Sequence, residues 1–101
     1  MAKQFLYMLK LIPPLWKEEN WTDRENQIVG KHFAHLQALL SDGKLILAGK
    51  NAGQDEKTFG IVILEAESEE QALAIMGEDP AVAEGIMSAE LFPYRVALMR
   101  G

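Results

Sequence analysis

One histidine stands where the sequence predicts a buried helix face. At about 100° per residue, one side of residues 22–42 gathers six apolar side chains: Ile28, Val29, Phe33, Leu36, Leu39 and Leu40. His32 falls inside this stripe, between Ile28 and Leu36. Imidazole can take up or release a proton near neutral pH, but burying it is costly unless its ring nitrogens are satisfied. His32 is therefore the first candidate for acid–base chemistry, and it needs a hydrogen-bond partner.

Other interpretations of this histidine remain open. A histidine on an apolar helix face is commonly a core residue whose polar atoms are satisfied. His35 lies about 60° around the helix, at the edge of the stripe, where we expect a solvated side chain. The spacing His32-x-x-His35 could bind a metal ion, but no third ligand stands in a recognisable motif. We therefore expect no metal site.

Several other conspicuous residues have ordinary explanations. Asp79 precedes Pro80, an order that suits a helix N-cap followed by the first helical residue. Trp16 and Trp21 lie in a polar loop and are expected to pack rather than to stack on a ligand. None of these residues by itself predicts a catalytic site.

The composition indicates one globular domain. The chain has 101 residues, of which 49% are apolar and 25% charged, enough for a single core. A net charge of −5 without any basic run argues against nucleic-acid binding. The absence of cysteine excludes disulfides and thiolate chemistry. The N-terminal apolar run is too short for a signal peptide or membrane span, so we expect a cytoplasmic protein without a membrane partner.

Hydrophobic periodicity and turn residues predict the element order β-α-β-β-α-β. The strands are expected near residues 4–12, 44–49, 58–66 and 89–99, the helices at 22–42 and 68–77, and a short turn near 80–84. Thr22 and Glu25 form a capping box at the start of the first helix. Gly43 supplies its left-handed end, and Gly30 inside it suggests a close backbone approach.

This order is that of the α+β class and, within it, of the ferredoxin-like fold with a four-stranded antiparallel sheet. Its first and third strands are central, and here both are apolar on both faces. An antiparallel sheet with one face in water should instead alternate apolar and polar residues. Since two helices cover only one face, we expect a homodimer in which a second copy of the sheet covers the other.

Five segments carry a family resemblance. They are His32-Phe33-Ala34-His35-Leu36, Gly43-Lys44-Leu45-Ile46-Leu47-Ala48-Gly49, Phe59-Gly60-Ile61, Ser68-Glu69-Glu70-Gln71-Ala72 and Asp79-Pro80-Ala81-Val82. In this order, over nearly the whole chain, they resemble the YCII-related family. The resemblance implies a ferredoxin-like domain paired into a dimeric α+β barrel, with a pocket between helices and sheet in each subunit.

The resemblance also implies a histidine and aspartate pair at that pocket, and the pair falls on His32 and Asp79. Where the family usually has proline after the Ala-Gly of its second strand, this chain has Lys50. A lysine there either places a cation at the pocket mouth or points to water. The substrate preference therefore stays open.

The implied pair suits proton transfer. A carboxylate that holds one ring nitrogen fixes the tautomer and leaves the other nitrogen free to take a proton. Such chemistry supports elimination, isomerisation or proton abstraction beside a carbonyl, without a metal or organic cofactor. We therefore predict a cofactor-free lyase or isomerase with catalytic His32 and Asp79, and with Tyr7, Phe33 and Lys50 as substrate-binding residues.

Two alternatives accompany this prediction. The same pair can simply tie the helices together in a non-catalytic binding or accessory module. Similarity to related barrel proteins also admits a cofactor-independent oxygenase. A cavity of roughly 300 Å³ or more with His32 on its wall favours an enzyme or a ligand binder, whereas a filled interior favours a structural pair.

Overall fold

A four-stranded antiparallel sheet, covered on one face by helices, forms the fold. The computed structural model describes residues 2–101. Across the sheet the strands run in the order β2-β3-β1-β4, and they are β1 (Lys3–Leu11), β2 (Leu45–Lys50), β3 (Gly60–Ala66) and β4 (Met87–Pro93). The helices are α1 (Asp23–Ser41), α2 (Glu69–Glu78) and α3 (Pro80–Ala83). The α+β ferredoxin-like plan is thus confirmed, with β1 and β3 in the centre.

Local signals in the sequence set the ends of α1. The Thr22 side chain accepts from the first turn of the helix, and the Glu25 carboxylate accepts from the Thr22 backbone amide at 2.8 Å. These contacts satisfy amides that a helix start leaves unpaired. At the other end Gly43 adopts a φ of 76°, which a residue with a Cβ rarely tolerates. The predicted capping box and left-handed end are both confirmed.

Strand register sorts the central side chains onto two faces. On the helix-covered face, β1 places Phe5 and Tyr7 opposite Leu64 and Val62 of β3, and all four side chains are buried. Helices α1 and α2 add Leu36, Leu39, Ala72 and Ile75 to this core. A second cluster joins Leu15, Ile28 of α1, Ala81 of α3 and Ile86. The core therefore lies between the sheet and its helices.

The last strand is shorter than predicted. β4 pairs with β1 as far as Pro93, whereas the apolar sequence predicted a strand to residue 99. Proline has no amide hydrogen to donate to a ladder, so regular pairing stops there. Beyond it the chain continues as an irregular arm (residues 94–101), fixed at its start by the Tyr94 amide donating to the Gln4 carbonyl at 3.1 Å.

The buried stripe of α1 is also narrower than predicted. Ile28, Leu36 and Leu39 are buried, but Phe33 and Leu40 are 60% and 59% exposed. These two residues lie at the edge of the stripe, about 100° or more around the helix from Leu39. The close approach expected at Gly30 is wrong, because a Cβ placed there would meet no neighbouring atom within 4 Å.

No helix in the described part of the chain is both long enough and apolar enough to cross a membrane.

Candidate active site

His32 and Asp79 form a hydrogen-bonded pair between the helices. His32 extends from the middle of α1, and Asp79 stands at the junction of α2 and α3. The His32 Nδ1 atom lies 2.7 Å from Asp79 Oδ1. The His32 side chain is 13% exposed and that of Asp79 is fully buried. The partner that the buried histidine requires is therefore present.

Three donors converge on the Asp79 carboxylate. Besides His32, the Tyr7 hydroxyl donates to Oδ2 at 2.7 Å, and the Ala81 amide donates to Oδ1 at 3.0 Å. The last contact is the N-cap of α3 that the Asp-Pro dipeptide predicted. One carboxylate therefore caps α3 and holds the imidazole at the same time, while linking β1 to α1.

These contacts determine the protonation of the carboxylate. Burial on its own raises the pKa of Asp79, but hydrogen bonds from His32 and Tyr7, the charge attraction of His32 and the Ala81 amide lower it overall. The pKa of Tyr7 is raised strongly, first by burial and then by the neighbouring Asp79 charge. Asp79 is therefore an ionised acceptor at neutral pH, and Tyr7 a neutral donor. An ionised acceptor at Nδ1 requires a proton on that nitrogen, which leaves Nε2 as the acceptor of a neutral imidazole.

A cavity of about 400 Å³ opens beside His32, between α1 and the sheet. Apolar side chains form most of its wall, among them Leu9, Leu11, Val29, Leu36, Val62 and Met87. His32 Nε2 makes no hydrogen bond to any residue in the range 2–101, and it is not sealed in the interior. The cavity thus exceeds the size that distinguishes a ligand pocket from a filled interior.

Two residues of the cavity wall are held by hydrogen bonds to the same backbone carbonyl, that of Leu15. Trp21 Nε1 and Gln54 Nε2 both donate to the Leu15 carbonyl oxygen, at 2.8 and 3.0 Å. Trp21 and Gln54 both line the cavity, whereas Trp16 does not. The sequence did not identify Gln54 as a site residue, because it stands in a polar loop without any motif. Trp21 was expected only to pack, although its loop precedes the helix of His32.

The three predicted substrate-binding residues occupy different places. Phe33 and Lys50 line the cavity. Tyr7 is fully buried behind Asp79, is not among the lining residues, and its hydroxyl is engaged by the carboxylate. The apolar pattern of β1 showed that Tyr7 faces the core but could not show which polar atom its hydroxyl would meet.

The neighbouring histidine differs from the prediction. His35 was expected to be solvated, yet its Nε2 atom is buried without a hydrogen-bond partner in the described residues. His35 follows Ile28 by seven residues, close to two helical turns, so the two point in nearly the same direction. Within residues 2–101, no group of three or more His, Cys, Asp or Glu side chains is placed to hold a metal ion.

Comparisons with known proteins agree with this architecture. The family model of the YCII-related domain matches residues 11–95. A search of curated proteins by sequence finds no match. Among solved structures, the chain is similar to 5-chloro-2-hydroxyhydroquinone dehydrochlorinase (TftG) from Burkholderia phenoliruptrix AC1100, in complex with 2,5-dihydroxybenzoquinone. The TM-score is 0.67 at 22% identity, covering 91% of this chain and 93% of the other.

A ferredoxin-like domain with a histidine–aspartate pair beside a cavity is the class that fold and geometry define. The match over residues 11–95 includes both members of the pair. The chain belongs to the YCII-related family.

Proposed function

We propose that the protein is a cofactor-free small-molecule enzyme of the lyase or isomerase type, with His32 as its general base and acid. The observation that carries the proposal is that the two nitrogens of the imidazole have different surroundings. Nδ1 is held by a buried carboxylate at 2.7 Å, and Nε2 is left without a protein partner beside a cavity of about 400 Å³. A nitrogen in this state accepts a proton from a bound ligand.

The proposed step is proton removal from carbon. Nε2 takes the proton of a ligand C–H bond next to a carbonyl or a leaving group. In an elimination the electron pair of that bond forms the new double bond, and the leaving group departs from the adjacent carbon. In an isomerisation the same nitrogen returns the proton at another carbon. Asp79 stabilises the imidazolium that forms between these events.

The similar structure supports this class of reaction. By its name, the dehydrochlorinase removes hydrogen chloride from a chlorinated hydroxyhydroquinone, and its structure contains a quinone. The mainly apolar cavity described above is suited to a ring of that size. We propose that Phe33 and Lys50 contact the ligand, and that Tyr7 acts indirectly, by positioning Asp79.

Turnover and hydrogen exchange test the proposal together. A panel of hydroxyquinols and lactones, including 5-chloro-2-hydroxyhydroquinone, is incubated with the protein in D₂O. NMR then detects exchange of C–H protons, product formation and chloride release. At least one compound is expected to react, and His32→Asn should lower its rate by about 10²–10⁴-fold. His35→Asn is the matched control on the same helix and should retain activity, with folding checked by circular dichroism. A panel without any reaction, or unchanged rates in His32→Asn, would contradict the proposal.

A binding or accessory module is the second candidate, and the contacts of Asp79 favour it. This one carboxylate joins β1, α1 and α3, so the pair already has a structural role. Under this alternative, ligands bind in the cavity but are not converted. His32→Asn would then lower the free energy of unfolding by about 1–3 kcal/mol, without a catalytic defect to measure. Urea unfolding of the variant beside the exchange assay separates the two candidates.

We propose that the protein is a homodimer through the sheet face that carries no helix. Strand register places six apolar residues on that face (the open face), of which Ile63 is itself buried: Leu6, Met8, Leu47, Ile61, Ile63 and Phe92. Leu47 and Phe92 are exposed, and in the arm that follows β4 Leu98 is 95% exposed. Contiguous apolar surface of this kind is uncommon on soluble monomers. The cytoplasmic location expected from the sequence stays a prediction.

A further inference from the structure

The ionisable residues on the cavity wall are of one kind. Of the lining residues, only Lys50 and His32 can carry charge, and both can carry only positive charge. No aspartate or glutamate of the described chain lines the cavity. Asp79 is fully buried behind His32 and is not part of the wall. This contrasts with the chain as a whole, whose net charge is −5. The cavity is therefore a cationic site in an acidic protein.

Strand register places Lys50 on the cavity side of the sheet. It is the last residue of β2 and pairs with Gly60, two positions along β3 from the buried Val62. Since side chains alternate along a strand, Lys50 lies on the same face as Val62. Gly60 has no side chain to cover it, which leaves the lysine stem open to the cavity.

The ammonium group is held, but its charge is not neutralised. Lys50 Nζ donates to the carbonyl oxygens of Asn51 and Gly53, each at 3.2 Å. No carboxylate of the described residues forms an ion pair with it. An ammonium group has three donors, so one remains for a ligand. Two neutral acceptors restrict its position and leave the full positive charge in place.

We propose that Lys50 makes the cavity selective for small planar organic anions, with one ionised oxygen bound to its ammonium group and the ring lying along the apolar wall. The proposal rests on the ligand-binding role of the cavity that both candidate functions share. A charge-assisted hydrogen bond is roughly twice as strong as a neutral one. A cationic ligand would meet repulsion with no carboxylate on the wall to offset it. Lys50 would thus select the ligand without taking part in proton transfer.

Matched ligand pairs test the proposal by calorimetry. The probes are 2,5-dihydroxybenzoquinone with its neutral dimethyl ether, and salicylate with salicylamide. The first member of each pair carries an ionised oxygen at neutral pH. We expect at least one anion to bind the unmodified protein roughly tenfold or more tightly than its neutral partner, which corresponds to about 1.4 kcal/mol.

Variants at two lysines identify the source of this preference. Lys50→Gln should reduce the preference to less than about twofold, whereas Lys50→Arg should keep most of it because the charge remains. Lys57→Gln is the control, since it removes the same charge from the same loop at a residue that does not line the cavity. It should leave the preference unchanged, and all three variants should keep the melting temperature of the parent.

Two results would overturn the proposal. One is that no anion binds more tightly than its neutral partner. The other is that the preference survives Lys50→Gln, which would mean that another group supplies it, or that it falls equally in Lys57→Gln, which would mean that the charge of the loop and not a contact determines it. The same titrations on His32→Asn keep this result separate from the catalytic proposal. If that variant retains the anion preference while no compound is ever turned over, the anion site stands and the enzyme proposal fails.

Discussion

The two faces of the sheet use the same strands in opposite ways. On the covered face, β1 contributes Phe5, Tyr7 and Leu9 to a core closed by helices, and Tyr7 reaches the Asp79 carboxylate at 2.7 Å. On the open face, the same strand presents Leu6 and Met8, for which the described chain supplies no helix. One face is thus organised around a buried charge with three donors, and the other is apolar.

The two faces therefore contribute to stability in different ways: the covered face through the geometry of its contacts, and the open face through the apolar area that it buries. A buried carboxylate is tolerated only while each donor keeps its position, so small changes on the covered face should have large local costs. An apolar face gains stability in proportion to the area removed from water. The open face should therefore tolerate apolar substitution but not charge.

The largest expected effect is that of a charge at the centre of the open face. Leu6 lies opposite Ile63 on one side and Phe92 on the other. If a second copy covers this face, Leu6→Lys places an unpaired ammonium group in the interface and should weaken the dimer at least roughly 1000-fold, or about 4 kcal/mol. Analytical ultracentrifugation measures the change. Leu73→Lys, an exposed leucine on α2, should remain dimeric. A parent protein that sediments at 11.3 kDa would refute the homodimer.

On the covered face, the largest effect is expected at the carboxylate. Asp79→Asn removes the negative charge to which His32 and Tyr7 both donate. It should lower the free energy of unfolding by about 3 kcal/mol at neutral pH. The amide of the variant also no longer fixes the tautomer of His32, so any turnover should slow. Urea unfolding measures the stability loss, with the exposed Asp42→Asn as control. A loss equal to that of the control would show that the contacts around Asp79 carry no net stability.

The same carboxylate makes a signed prediction about pH. The pKa of Asp79 is lowered in the folded protein, so its stabilising contribution is complete above the unfolded pKa of about 4 and is lost as pH falls through the lower folded value. The stability gap between the parent and Asp79→Asn should therefore be widest near neutrality and shrink in acid. Urea titrations at a series of pH values measure it. A gap that widens in acid would contradict the lowered pKa.

A smaller effect is expected where only one donor to the carboxylate is lost. Tyr7→Phe keeps the ring in the core but leaves Asp79 Oδ2 without its 2.7 Å hydrogen bond. The expected loss is about 1.5–2 kcal/mol, at the low end of the range for a hydrogen bond to a charged group. Tyr94→Phe, at an exposed tyrosine, serves as the control in the same thermal unfolding assay. If Tyr7→Phe also changes ligand affinity directly while stability is unaffected, its proposed positioning role is wrong.

The smallest effect is expected on the outer side of α1, which belongs to neither face. Gly30 has open space around its Cα, so Gly30→Ala should stabilise the protein by about 0.5–1 kcal/mol through helix propensity alone. Gly43→Ala should have the opposite sign, because Gly43 has a φ of 76°. Thermal unfolding of both variants measures the contrast. A destabilising Gly30→Ala would indicate that this surface contacts something in the assembled protein.

Much of the fold was predictable because its signals are local. The capping box at Thr22 and the left-handed end at Gly43 depend on a few neighbouring residues, so the boundaries of α1 were predicted closely. The end of β4 at Pro93 was missed, because the apolar residues beyond it suggested a longer strand. Phe33 was predicted to face inward because helical periodicity gives a direction, whereas burial depends on what packs against that side of the helix, and Phe33 is exposed beside the cavity.

The residues of the candidate site were likewise predictable only where a local signal marked them. His32 could be recognised because a polar residue in an apolar stripe violates the pattern of its own helix. Asp79 looked like a helix cap from the sequence alone, and only the family resemblance paired it with His32, 47 positions away. Gln54 carries no local signal at all, since its contact with the Leu15 carbonyl joins two loops that no periodicity relates.

By itself the sequence determined the element order, the central strands with two apolar faces, and a histidine that required a partner. Tertiary structure decided what that histidine faces. Its Nδ1 atom contacts a carboxylate that accepts from three donors. Its ring also lines a cavity that has a lysine on its wall. The physical reason is the range of the interactions involved. Capping and periodicity act within a turn or a strand. A hydrogen bond between Tyr7 and Asp79 forms only after the sheet and the helices have brought residues 72 positions apart to within 2.7 Å.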